Sequence, residues 1–123
     1  MAKPDHMDIM SPIIEQGITT VFTGQCGFSP APLYKDQFDE VTNFTTLLAD
    51  GEFLLHSNSM NHFFTSLEKN GTAVNMAHMI GHATLKGTLK KVLSDEKLTP
   101  SDLNRIHYSI DESFDAGAFG ISL

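Results

Sequence analysis

Residues 17–28, GITTVFTGQCGF, constrain the fold more than any other stretch of the chain. Ile18 to Thr23 form a β-branched and aromatic run of strand length. The run stops at Gly24, and the only cysteine, Cys26, follows between Gln25 and Gly27. A strand that ends in a glycine-bracketed loop carries that thiol to the strand's carboxyl end. In α/β sheets, open or closed, this edge gathers ligands, metals and catalytic groups. A free cysteine also serves as a small buried hydrophobe. Spacing alone leaves both readings standing.

The rest of the chain alternates. Ser11-Pro12 reads as an N-cap followed by proline in the first helical position, with Gly17 stopping a helix of little more than one turn. After the strand at 18–23, FSPAPLYKDQ is a proline-punctuated loop. Phe38, Val41, Phe44, Leu47 and Leu48 then fall at helical intervals. Asn58 or Ser59 caps a further helix whose inner face is Met60, Phe63, Phe64 and Leu67, and Asn70-Gly71 closes it. Residues 72–80, TAVNMAHMI, form a second buried strand, with Gly81-His82 at its exit. Thr99-Pro100-Ser101-Asp102 starts another helix, with Leu103, Ile106, Ile110 and Phe114 on one stripe and an end at Gly117. Residues 118–123, AFGISL, make a third strand.

The order β, α, β, α, β predicts a parallel sheet with crossover helices, an α/β fold. The chain opens on a helix without a strand before it and closes on a strand without a helix after it. Such a sheet has two bare edges, and a complete βα barrel takes about 250 residues. With 123 residues, the sequence reads as an interior slice of a larger barrel. Residues 1–7, MAKPDHM, are polar, match nothing downstream and read as vector-derived, which leaves 8–123 as the partial barrel.

Composition limits the partners. The net charge is −7 with only eight Lys and Arg, so nucleic acid and anionic membranes gain nothing from counterion release at this surface. A single cysteine rules out an internal disulfide framework and fits a reducing cytoplasm. No apolar run approaches the roughly 20 residues of a membrane span.

Three segments, GITTVFTGQCGFSPAP, AVNMAHMIGHATLKG and DAGAFGISL, together resemble the N-acyl-D-amino-acid deacylases of the metal-dependent amidohydrolase superfamily. That family's patterns are close to GVTTVVxGNCGxSxAP, AVNVAxLVGHGTLR and GAxGxSTGL, in the same order. The resemblance runs from about Ser11 to Leu123. It implies a (β/α)8 TIM barrel, a zinc cofactor and a small-molecule partner, an N-acyl amino acid or a related amide. Carried over residue by residue, it makes Cys26 a metal ligand at the end of the second barrel strand. A thiolate suits zinc, which it binds at about 2.3 Å and which lowers the thiol's own pKa. Gly24 and Gly27 would let the backbone turn tightly there, and His82, Lys86 and Ser122 fall in segments that the family places near the site. In the family the metal activates a water that attacks the amide carbonyl, with an aspartate on a late strand as acid and base.

The chain departs from the pattern in ways that bear on activity. It has no His-x-His pair, and the later histidines and the catalytic aspartate of the family belong to strands beyond Leu123. Gln25 replaces Asn, Lys86 stands where Arg is common, and Leu123 stands where the third motif has Thr. The expectation is therefore a chain that is catalytically silent alone and that associates with itself through uncovered strands or stays partly unfolded. The alternative is a non-catalytic α/β interaction or ligand-binding module on the same scaffold. His78 and His82 have the spacing of a helical zinc pair but lie on a strand and its exit, so His78 reads as a buried histidine satisfied by backbone. Asp111, Glu112 and Asp115 read as a charged surface.

Overall fold

The computed structural model describes residues 4–33, 57–87 and 97–123. The helical intervals at Phe38, Val41, Phe44, Leu47 and Leu48 lie outside the described residues. The elements are α1 (Pro4–Glu15), β1 (Thr20–Thr23), α2 (Met60–Asn70), β2 (Asn75–His78), β3 (Ile80–Gly81), α3 (His82–Gly87), α4 (Pro100–Asp115) and β4 (Ile121–Ser122). None of these helices is long and apolar enough to cross a membrane.

The strands pair in parallel, as expected from the alternation of elements. β1 runs beside β2 in the register Thr20↔Asn75 to Thr23↔His78, and β3 runs beside β4 with Ile80↔Ile121 and Gly81↔Ser122. β2 and β3 are separated only by Met79, whose amide still donates to Thr23 O at 2.9 Å. Phe119 N donates to His78 O at 2.9 Å and Ile80 N to Gly120 O at 2.8 Å. The segment 75–81 is thus central, tied to the first strand segment on one side and to the last on the other. The ladders are shorter than the apolar runs, since Ile18, Thr72 and Ala118 precede the stretches that lie side by side.

Helix ends follow local chemistry where the cap is local. Ser59 Oγ accepts from His62 N at 3.1 Å to start α2. Gly71, at φ +77°, closes the helix by donating to Leu67 O at 2.8 Å. Thr99 and Asp102 form a reciprocal capping box on α4, with Pro100 in the first turn.

Three expectations are corrected. α1 begins at Pro4, not at Ser11, and takes in part of the segment set aside as vector-derived. Pro12 lies inside it, where it removes one ladder donor, and Ser11 spends its hydroxyl on Glu15 Oε1 at 3.3 Å instead of capping. The stripe on α4 is also rotated. Leu103 and Phe114 are 42% and 45% exposed, whereas Ser109 and Ser113 are buried beside the half-buried Ile106 and Ile110. Small side chains let the helix approach the core closely, and Ser113 satisfies its hydroxyl on Ser109 O at 2.6 Å. Finally, Glu112 is more than solvated surface. Its carboxylate accepts from Met60 N at 3.1 Å and Asn61 N at 3.0 Å, which makes it a second cap on α2 supplied by α4.

The core lies between the helices and one face of the strands. Ala31, Met60, Phe63, Ile80, Leu85 and Ala118 form it, with Phe64, Leu67, Ile106, Ile110 and Ala116 packed against it. Glu112 fixes the end of α2 from which Met60 enters this core. Glu112→Ala is expected to lower the unfolding free energy by about 1–2 kcal/mol, since two orphan amides lose a charged acceptor. Urea denaturation checks this, and an unchanged midpoint would contradict the cap.

Candidate functional site

The carboxyl ends of the strands meet at one small region, built by the loop after β1. Gly24, Cys26 and Gly27 all have left-handed backbone, at φ +83°, +56° and +78°. Such a conformation is uncommon for a non-glycine residue and persists where surrounding structure determines it. At Gly24 a Cβ would run into the carbonyl of Met79, so the loop crosses the central strand at backbone contact. Gly81 is constrained in the same way by the carbonyl of Gly27. The Cys26 side chain is free and exposed.

Hydrogen bonds fasten this loop to three other elements. Gly27 N donates to Ser122 Oγ at 3.1 Å, and the same hydroxyl donates to Gly24 O. Gly27 O accepts from Ala83 N at 2.8 Å and Thr84 N at 3.2 Å, so it caps α3. Sequence reading placed Gly81-His82 at the exit of a strand, whereas the structure begins α3 at His82 with no Ser, Thr, Asp or Asn directly before it. The acceptor comes from a distant loop instead, which corrects that reading.

Beneath the loop, Ser29 and Thr84 form a buried pair. Ser29 N donates to Thr84 Oγ1 at 2.9 Å, and Thr84 Oγ1 donates to Ser29 O at 3.2 Å. Ser29 Oγ donates to Ala31 O at 2.6 Å and accepts from Gly81 N at 2.9 Å. Neither residue was singled out from the sequence, although both lie within the motif segments. Short polar side chains inside the motif segments are the signal that was available.

The structure therefore brings Gly24, Cys26, Gly27 and Ser122 together, from segments at opposite ends of the chain. His82 is exposed at the first position of α3, and Lys86 is half-buried in its last turn. Among the described residues, no three His, Cys, Asp or Glu side chains are grouped to hold a metal. A catalytic zinc takes three protein ligands and a water, so the described residues alone do not fit one.

His78 ends β2 and packs against α2. It is 2% exposed, and its Nδ1 shares a hydrogen bond with Thr23 Oγ1, a side chain where backbone was expected. Its ring stands edge-on to Phe63 at 4.9 Å between centroids and tilts against Phe64 at 5.5 Å. Nε2 is buried without a hydrogen-bond partner among the described residues. Desolvation in this setting holds the imidazole below its ordinary pKa, because a proton would place charge among phenyl rings. The unfolded chain then binds that proton more readily than the folded one. Stability from this group is complete above about pH 6.5, falls as the pH drops through that value, and levels once the folded imidazole is also protonated. Urea midpoints measured from pH 7.5 downward should show this loss, and a His78→Leu chain should lack that part of it. Parallel pH profiles for the two chains would contradict the assignment.

No protein-family model matches the chain. It is 36% identical over 115 residues to an N-acyl-D-aspartate deacylase of Alcaligenes xylosoxydans xylosoxydans, a match that covers 92% of this chain and 22% of that enzyme. A solved D-aminoacylase with a binuclear metal centre superposes with a TM-score of 0.73 at 32% identity, over 95% of this chain and 23% of the other. An N-acyl-D-glutamate deacylase from Bordetella bronchiseptica, solved with zinc and a phosphonate mimic of the tetrahedral intermediate, gives a TM-score of 0.70 at 27% identity, over 95% and 24% of the two chains. The chain spans about a fifth of the length of the curated relatives it matches.

Proposed function

Since this chain belongs to the N-acyl-D-amino-acid deacylases, amidohydrolases of which it spans about a fifth, we propose that it is a barrel segment of a metal-dependent amide hydrolase. In this reading three consecutive staves of a (β/α)8 barrel are present, and the substrate of the complete enzyme is an N-acyl-D-amino acid. Cys26 is this segment's contribution to the metal centre, as a thiolate ligand for zinc. The observation that carries the reading is the loop of Cys26. It sits at the carboxyl end of β1 and is closed by residues from the other two motif segments, Thr84 and Ser122. Barrel enzymes assemble their chemistry at this end.

The segment's own role is to hold one ligand still. The hydrolytic water, the remaining ligands and the acid–base group belong to parts of the polypeptide other than the described residues. A graft tests this directly. Residues 8–123 replace the matching segment of the N-acyl-D-aspartate deacylase, and metal content and deacylation are measured. The chimera should bind zinc and hydrolyse N-acyl-D-amino acids, and Cys26→Ala within it should cost more than about ten-fold in activity together with bound metal. A chimera in which Cys26→Ala keeps both would contradict the assignment. One that folds without hydrolysing anything favours a non-catalytic module.

The isolated chain is a different object. A single thiolate does not hold a catalytic zinc, so purified material should show no deacylase turnover and far less than one tightly bound ion per chain. We further propose that it self-associates. On the sheet face away from the core, Phe22 is 47% and Phe119 71% exposed, their rings edge-to-face at 5.8 Å. Apolar strand faces and unpaired edges of this kind recruit further copies. Sedimentation at micromolar concentration should find species larger than a monomer, and a compact monomer would refute the proposal.

A further inference from the structure

Asn70 is the only asparagine of the chain that a glycine follows. It is the last residue of α2, and both it and Gly71 are exposed. A Cβ placed on Gly71 would meet nothing within 4 Å, so neither a side chain nor a neighbouring element crowds its Cα. Asparagine is among the heat-labile residues, and the reason is its amide carbon, which lies within ring-closing reach of the next residue's nitrogen. When Gly71 N gives up its proton it can attack Asn70 Cγ. The new C–N bond closes a five-membered imide, the Cγ–Nδ2 bond breaks, and Nδ2 leaves with a proton as ammonia. Water then opens the ring at either carbonyl, and the chain runs on through the α- or the β-carboxyl of an aspartate. No oxidant or reductant enters, and water is the only co-reactant.

The last turn of α2 gates this step. Gly71 N donates to Leu67 O at 2.8 Å, so the nitrogen keeps its proton while the turn is closed. Asn70 Nδ2 donates to Ser66 Oγ at 3.3 Å, which draws the leaving group back along the helix. Both bonds belong to a helix end, the part of a helix that frays and opens at the smallest cost. We propose that Asn70 is a site of spontaneous deamidation, gated by the opening of the last turn of α2. Each conversion adds a carboxylate two residues beyond Glu68, at the helix end that disfavours negative charge. The product therefore weakens the cap that turns the chain from α2 toward β2.

The test holds the full 123-residue chain at mildly alkaline pH, with and without denaturing urea. Peptide mapping by mass spectrometry reads the conversion of amide to acid at every asparagine and separates aspartate from its β-linked isomer. Without urea, Asn70 should convert ahead of every other asparagine, with the β-linked product in excess. In urea its conversion should be about ten-fold faster, and exchange of the Gly71 amide should accelerate by the same factor, since both need the same opening. Asn70→Gln, whose longer side chain would have to close a six-membered ring, should lose the conversion. Asn70→Asp, which carries the product's charge, should exchange the Gly71 amide about two-fold faster than the parent. Another asparagine converting first without urea overturns the site. So does an Asn70 that stays intact in the folded chain while the chain in urea converts. Equal rates with and without urea overturn the gate, and an Asn70→Asp chain whose Gly71 amide exchanges like the parent's overturns the effect on the cap.

Discussion

The backbone of Gly27 is where three separate parts of this chain are held in one place. Its amide donates to Ser122 beyond the last helix, and its carbonyl accepts the first free amides of α3 beyond the central strand. That carbonyl can lie so close only because residue 81 has no side chain. Remove this junction and α3 loses its N-terminal acceptor, while the loop of Cys26 loses the contact that sets its turn. A buried amide or carbonyl left without a partner costs about 1–3 kcal/mol, so several unpaired groups at one junction rival the net stability of a small domain. The arrangement is all or nothing, which suits a place that must hold a side chain in a fixed direction.

From this junction the chemistry follows. Cys26 stands exposed in a left-handed turn at the carboxyl end of a parallel strand, with its neighbours pinned. Polar satisfaction is concentrated around it, in Ser29, Thr84 and Ser122, and the apolar core begins directly beside Ser29 and Thr84, with Ala31 and Leu85. His78 packs on that core through Phe63. Its burial between Phe63 and Phe64 is a matter of packing and of pH-dependent stability.

Much of this was legible in the sequence because it is local. Ser59 and the Thr99–Asp102 pair announce helix starts within one turn of themselves, and the structure uses both. The parallel pairing followed from alternation of element types. What stayed hidden depends on partners distant along the chain. α3 has no cap of its own, so nothing before His82 marked it as a helix. Glu112 looked like solvated surface because the amides it caps belong to another helix. On α4, periodicity showed apolar residues at Leu103, Ile106, Ile110 and Phe114 but not that Ser109 and Ser113 would face inward, since close approach favours small side chains over large ones. The motif residues were marked by resemblance, while their convergence at one hydroxyl was visible only in three dimensions.

The account's central claim is that the rim around Cys26 is one preformed, cooperative unit. Amide hydrogen exchange tests it most directly, read residue by residue at Gly27, Gly81 and Ala83, whose amides donate to Ser122, Ser29 and Gly27 respectively. The account predicts that all three are protected and exchange together, through a single opening of the junction. Exchange at free-peptide rates at these three positions, while amides within α4 stay protected, would contradict it.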